Sequence, residues 1–122
     1  MIDYSNVDFT MIGIVIAFIV FDVFAGLIKA VYKNEFSSTK MREGLMHKTG
    51  TMLIMLVCMV CDIATATSSV DLALPIGVVD IFGALVIVME LGSILENCIT
   101  MNPDLKKLGI FKIFGIDETT QE

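Results

Sequence analysis

The sequence predicts an all-α integral membrane protein: three transmembrane helices, N-terminus outside, C-terminus inside, and a short amphipathic helix on the cytoplasmic side after the third span. Three observations predict it. Of the 122 residues, 56% are hydrophobic and the mean hydropathy is +0.83, too apolar for a water-soluble domain of this size. The apolar residues gather in three blocks, residues 9–31, 49–67 and 75–95, each about as long as the ~20 residues a helix needs to cross a ~30 Å hydrocarbon core. The basic residues fall on one side only. Lys29, Lys33, Lys40, Arg42 and Lys48 lie at or between the ends of the first two blocks, and Lys106, Lys107 and Lys112 follow the third. Cytoplasmic loops retain Lys and Arg near membrane helix ends, which puts the acidic N-terminus, with Asp3 and Asp8, outside. Residues 1–102 then form the membrane domain and 103–122 a cytoplasmic tail.

The first block lacks a preceding positive segment and a following small-residue cleavage site, so it is expected to stay as a span. Within it, FIVFDVFAGLIKA (Phe18 to Ala30) carries Asp22, about 15 Å from the basic end of the helix and near bilayer mid-depth. Asp22, Gly26, Lys29 and Lys33 share a stripe at helical spacing. Gly26 with Ala30, and Gly13 with Ala17, are small-xxx-small pairs that let another helix approach closely. The basic segment 33–48, with Lys33, Lys40, Arg42, His47 and Lys48, reads as a solvated loop lying against anionic lipid.

In the second block Cys58, Asp62, Thr65 and Ser69 line up. Cys58-Met59-Val60-Cys61 is a CxxC in letters only, because thiols deep in an apolar helix lack the strand-to-helix context and flanking cation of a redox motif. Three cysteines make no disulfide framework, and His47 is too far along the chain to complete a metal site with them. In the third block Gly83, Glu90 and Asn97 share a face with Ser93 beside them; Asp80 lies with Ala84 on a neighbouring face, and Glu96 reaches the boundary. Beyond it, Asn102 is placed to cap a helix with Pro103 at its first position. Leu105, Leu108, Phe111 and Phe114 would then lie opposite Lys106, Lys107 and Lys112, suiting a helix on the inner leaflet before an acidic tail.

A charged group at mid-depth costs at least ~2.5–3.5 kcal/mol, so Asp22, Asp62, Asp80 and Glu90 are expected to face protein or water. Three helices can hide them inside one chain, or many chains can line water with them. Each acid could instead make only an interhelical hydrogen bond of ~1 kcal/mol. For Asp22 the expectation is a hydrogen bond within a dry cluster, or, when ionised, contact with water or with Lys29 two turns away. The formal net charge of -6, with no patch mixing basic and aromatic residues, argues against nucleic acid. No catalytic motif or cofactor site is apparent, so no enzyme activity is expected.

Two separated motifs resemble the toxin secretion and phage lysis holins, bacteriophage holin family 4. The first is DVFAGLIKA, with Asp22, Gly26 and Ala30, followed by the Ser37-Ser38 pair and by Gly44 and Lys48 in REGLMHK. The second is ELGSILEN, Glu90 to Asn97, whose acid, Ser93 and Glu96-Asn97 are similar to the family's signature at the end of its last helix, with Pro103 and Leu105 opening the tail. Met89 and Asn102 depart from the family pattern. The resemblance implies a phage-encoded protein of the host bacterial cytoplasmic membrane that forms homo-oligomers and opens the membrane at a timed moment. An endolysin is then released to the cell wall, or a toxin is exported. It implies no catalytic site or cofactor, and an antiholin as a further partner. The alternatives are an antiholin itself, or an ion-coupled transporter or channel subunit relaying ions through the buried acids. The inverted repeats or broken helices of a transporter are not apparent in the sequence.

Overall fold

Three long α-helices follow one another: α1 Phe9–Tyr32, α2 Ser38–Ala66 and α3 Val78–Met101, with a 3-10 helix at Pro103–Lys107. They come from a computed structural model that describes residues 7–67, 76–109 and 113, and no strand occurs among the described residues. At 24, 29 and 24 residues, each helix is long and apolar enough to cross a membrane, because 1.5 Å per residue gives about 36 Å for the shorter two.

Local chemistry sets the ends of α1. The Asp8 side chain accepts a hydrogen bond from the Met11 N–H at 2.8 Å, satisfying one of the free amides at a helix start. At the other end Asn34 adopts φ 55°, the left-handed conformation that Asn tolerates better than most residues. Its N–H donates to Val31 at 3.1 Å and that of Glu35 to Ala30 at 2.9 Å, a Schellman closure of the helix. The chain then turns back at once, and the Ser37 side chain accepts from the Lys40 N–H to cap α2.

This turn corrects the expected basic loop. Helix α2 starts at Ser38, not near Thr49, so Lys40, Arg42, His47 and Lys48 are helical and only Lys33–Ser37 connects the helices. An apolar block marks what lipid covers, whereas helix formation depends on local hydrogen bonding and propensity, which Lys, Met, Arg, Glu and Leu all favour in this segment. Helix α3 likewise continues past residue 95 to Met101. Of the expected tail helix, the described residues show a 3-10 helix at Pro103–Lys107, to which Asn102 gives no side-chain cap. Phe111, Lys112 and Phe114 lie outside the described residues.

Helix α1 packs most extensively on α3, α2 packs on α3 less, and α1 touches α2 least. The partners Met11 and Val15 with Gly83, and Gly26 with Asn97, show that α1 and α3 run parallel. A Cβ at Gly83 would fall 2.7 Å from Met11 Cγ, so glycine is what permits this close crossing. The core is a narrow seam of Val15 and Ile19, Met55 and Cys58, and Val79 and Val86, one pair from each helix. Large apolar side chains such as Phe21, Phe24, Leu53, Val57, Leu85 and Met89 point outward, as they can when the surrounding solvent is hydrocarbon.

Helix α3 borrows its cap. Gly77 precedes it without a side chain to offer, and the buried Asp62 of α2 accepts from the N–H groups of Val78 at 2.7 Å and Val79 at 2.9 Å. A Cβ at position 77 would stand 2.9 Å from Asp62 Oδ2, so the glycine makes room for the carboxylate. Asp62→Ala should cost about 1–2 kcal/mol. It would be read as a lower melting temperature in detergent with faster hydrogen exchange at the Val78 and Val79 amides. Unchanged protection of those amides would refute the cap.

Candidate functional site

Ten residues separate Asp22 from the end of α1, ten separate Ser38 from Lys48, and eleven separate Glu90 from the end of α3. All three therefore sit about 15–17 Å from the helix ends at the α1–α2 turn. Because α2 runs against the other two, they meet. Lys48 Nζ lies 2.6 Å from Asp22 Oδ2 and donates a second hydrogen bond to Glu90 Oε2. Asn97, two turns after Glu90 on the same face, donates through Nδ2 to Asp22 Oδ1 at 3.2 Å.

Asp22, Glu90 and Asn97 are buried, at 7%, 4% and 8% exposure, and the Lys48 side chain is 21% exposed. Among the described residues no buried side-chain nitrogen or oxygen lacks a hydrogen-bond partner. The arrangement answers the cost of ionisable groups at this depth by pairing them within the chain. One ammonium facing two carboxylates leaves one negative charge unbalanced, and a single proton on the pair of carboxyls would make the cluster neutral.

Lys48, expected in a loop against lipid, is thus the centre of the cluster, and the cation at Asp22 is Lys48 rather than Lys29. A hairpin register was the missing signal, since residues equidistant from a tight antiparallel turn face each other; reading it required the true start of α2. Gly26 faces Asn97, whose Nδ2 would lie 3.7 Å from a Cβ there. Ala30 lines an open groove between α1 and α2.

The other expected residues do not join the cluster. Asp62 is the cap described above. Asp80 stands in the first turn of α3, half-buried, its carboxyl adjoining that of Asp8. Ser93 is half-buried, whereas Glu96, Lys33, Lys40 and Arg42 are exposed. Of the tail residues, Leu105 and Lys106 are half-buried and Lys107 and Leu108 exposed. Cys58, Cys61 and Cys98 are free thiols. Among the described residues no group of His, Cys, Asp and Glu is arranged to hold a metal ion.

Three membrane-length helices closed around a polar cluster define a small multi-pass membrane protein. The profile of the bacteriophage holin family matches residues 4–111, a stretch that holds all three helices and every member of the cluster. The chain belongs to that family. No curated protein and no solved structure matches it.

Removing the shared cation leaves two buried carboxylates facing each other. Lys48→Met should therefore lower stability in detergent micelles by about 3 kcal/mol, while replacing Lys48, Asp22 and Glu90 together with Met and Leu should recover most of the loss. Equal unfolding temperatures for Lys48→Met and wild type would show that the cluster does not hold the helices.

Proposed function

We propose that this protein is a phage holin that accumulates in the host cytoplasmic membrane, self-associates, and permeabilises it at a set moment, giving an endolysin access to the cell wall. The observation that carries the reading is the family match over three helices whose deeply placed Asp22, Lys48 and Glu90 are paired inside one chain. A dispersed holin must be tolerable to lipid, and the internal pairing of Lys48 with Asp22 and Glu90 makes it so. A hole must show polar surface to water, and the same groups supply that surface once α2 swings from α1, the helix it touches least.

In this mechanism the negative charge that one ammonium leaves unbalanced between the two carboxylates favours the wet state, where water solvates it. Timed expression in bacteria tests both parts. The wild-type chain should stop respiration abruptly, and release of a large cytoplasmic reporter would mark a hole wide enough for an endolysin. Asp22→Asn, which cannot ionise, should insert and oligomerise normally yet permeabilise late or not at all. A slow shift of ion gradients would indicate a transporter, inactivity until a second holin is supplied would indicate an antiholin, and wild-type timing in Asp22→Asn would remove the role of its charge.

The same reading takes the N-terminus as outside and the turn between α1 and α2 as cytoplasmic, because the basic residues flank that side. With Cys58, Cys61 and Cys98 replaced, a cysteine at Asn6 should react with an impermeant maleimide in intact cells and one at Thr120 should not. The reverse pattern would invert the topology.

A further inference from the structure

Between the second half of α1 and the first half of α2 the helices part around a cavity of about 520 Å³, within the ~300–1,000 Å³ range of small-ligand sites. Its chemistry is graded along the helix axes. At the rim stand Lys29, in the last turn of α1, Lys33, at its C-cap, and Lys40, in the first turn of α2. Among the described residues none of the three makes an ion pair. Glu35 is the rim's carboxylate, so the rim keeps a net positive charge in a chain whose formal net charge is -6. Below the rim the walls are apolar, formed by Val23, Leu27, Ala30, Met41 and Leu45, and the floor is the already paired Asp22 and Lys48.

We propose that this groove binds one anionic phospholipid from the leaflet at the α1–α2 turn, with its phosphate among Lys29, Lys33 and Lys40 and its acyl chains along the apolar walls. The inference rests on the reading of the chain as a membrane protein, and it replaces diffuse attraction of basic residues to the membrane with a defined site. Charge complementarity selects this occupant: three ammonium groups lie within a turn of the helix ends, at headgroup level, directly above a wall suited to hydrocarbon. A second copy of the chain would have to bring an acidic group to the same level as an apolar stripe. A lipid carries both in one molecule. Filling the gap between α1 and α2, the two helices that touch each other least, the bound lipid would make their separation sensitive to leaflet composition.

Native mass spectrometry of the full-length chain, delipidated in detergent and titrated with phosphatidylglycerol or phosphatidylcholine of the same acyl chains, tests the site. One phosphatidylglycerol per chain should be retained at concentrations where phosphatidylcholine is not. The combined variant Lys29→Gln, Lys33→Gln and Lys40→Gln should weaken retention about a hundredfold, near fivefold for each lysine. Neutralising Lys106, Lys107 and Lys112 should leave it unchanged. Ala30→Trp, which fills the groove and keeps its charges, should also displace the lipid, so the result does not depend on one variant folding. Equal retention of the two lipids, equal loss in the tail variant, or a lipid-free dimer in place of the adduct would overturn the proposal. Selective lipid retention by a chain that fails to lyse cells would overturn the holin reading alone, and lysis by a chain without lipid selectivity would overturn this site alone.

Discussion

Lys48 holding Asp22 and Glu90 is the interaction on which the rest of this protein depends. An ammonium group at this depth in hydrocarbon is costly unless carboxylates meet it, and here those carboxylates come from two other helices. All three helices must therefore be in one register, with α2 antiparallel to its neighbours and each charged group about three turns from the α1–α2 turn. Asn97 completes the arrangement by donating to the remaining oxygen of Asp22. The pairing stabilises chiefly by what its loss would leave behind, because an unpaired buried charge is worse than no charge at all.

The two ends of the bundle are built differently. Away from the turn, the helices close on an apolar seam, and Asp62 ties the start of α3 to α2 through two backbone amides. Toward the turn, α1 and α2 diverge around a groove with basic residues at its rim. The tight end resists separation through packing and a satisfied helix start. The open end is held by the short connection and by charge pairing, which water weakens by solvating both partners. Such a division suits the proposed holin role, in which the chain stays compact in lipid and later admits water.

The carboxylates that look alike in the sequence have separate physical tasks. Asp62 spends its oxygens on backbone N–H groups and is structural, whereas Asp22 and Glu90 share a cation. Asp80 stays half-exposed at a helix start, where a negative charge suits the helix dipole, and Glu96 faces outward from α3. Depth in an apolar block marked Asp22, Asp62, Asp80 and Glu90 as needing protein or water around them. It did not say which partner.

Composition and periodicity alone determined the three spans, the shared face of Gly83, Glu90 and Asn97, and the need to hide Asp22, because hydropathy and helical spacing are local properties of the chain. The family resemblance was likewise carried by short contiguous motifs. Tertiary structure decided that the basic segment continues as helix from Ser38, that Lys48 turns inward to Asp22, and that Asp62 caps a helix to which it does not belong. Those facts depend on the angle of one turn at Asn34 and on groups 16 to 42 residues apart in the chain. No local pattern encodes such a meeting, since the same lysine on the same helix would reach water or lipid if the hairpin closed in another register.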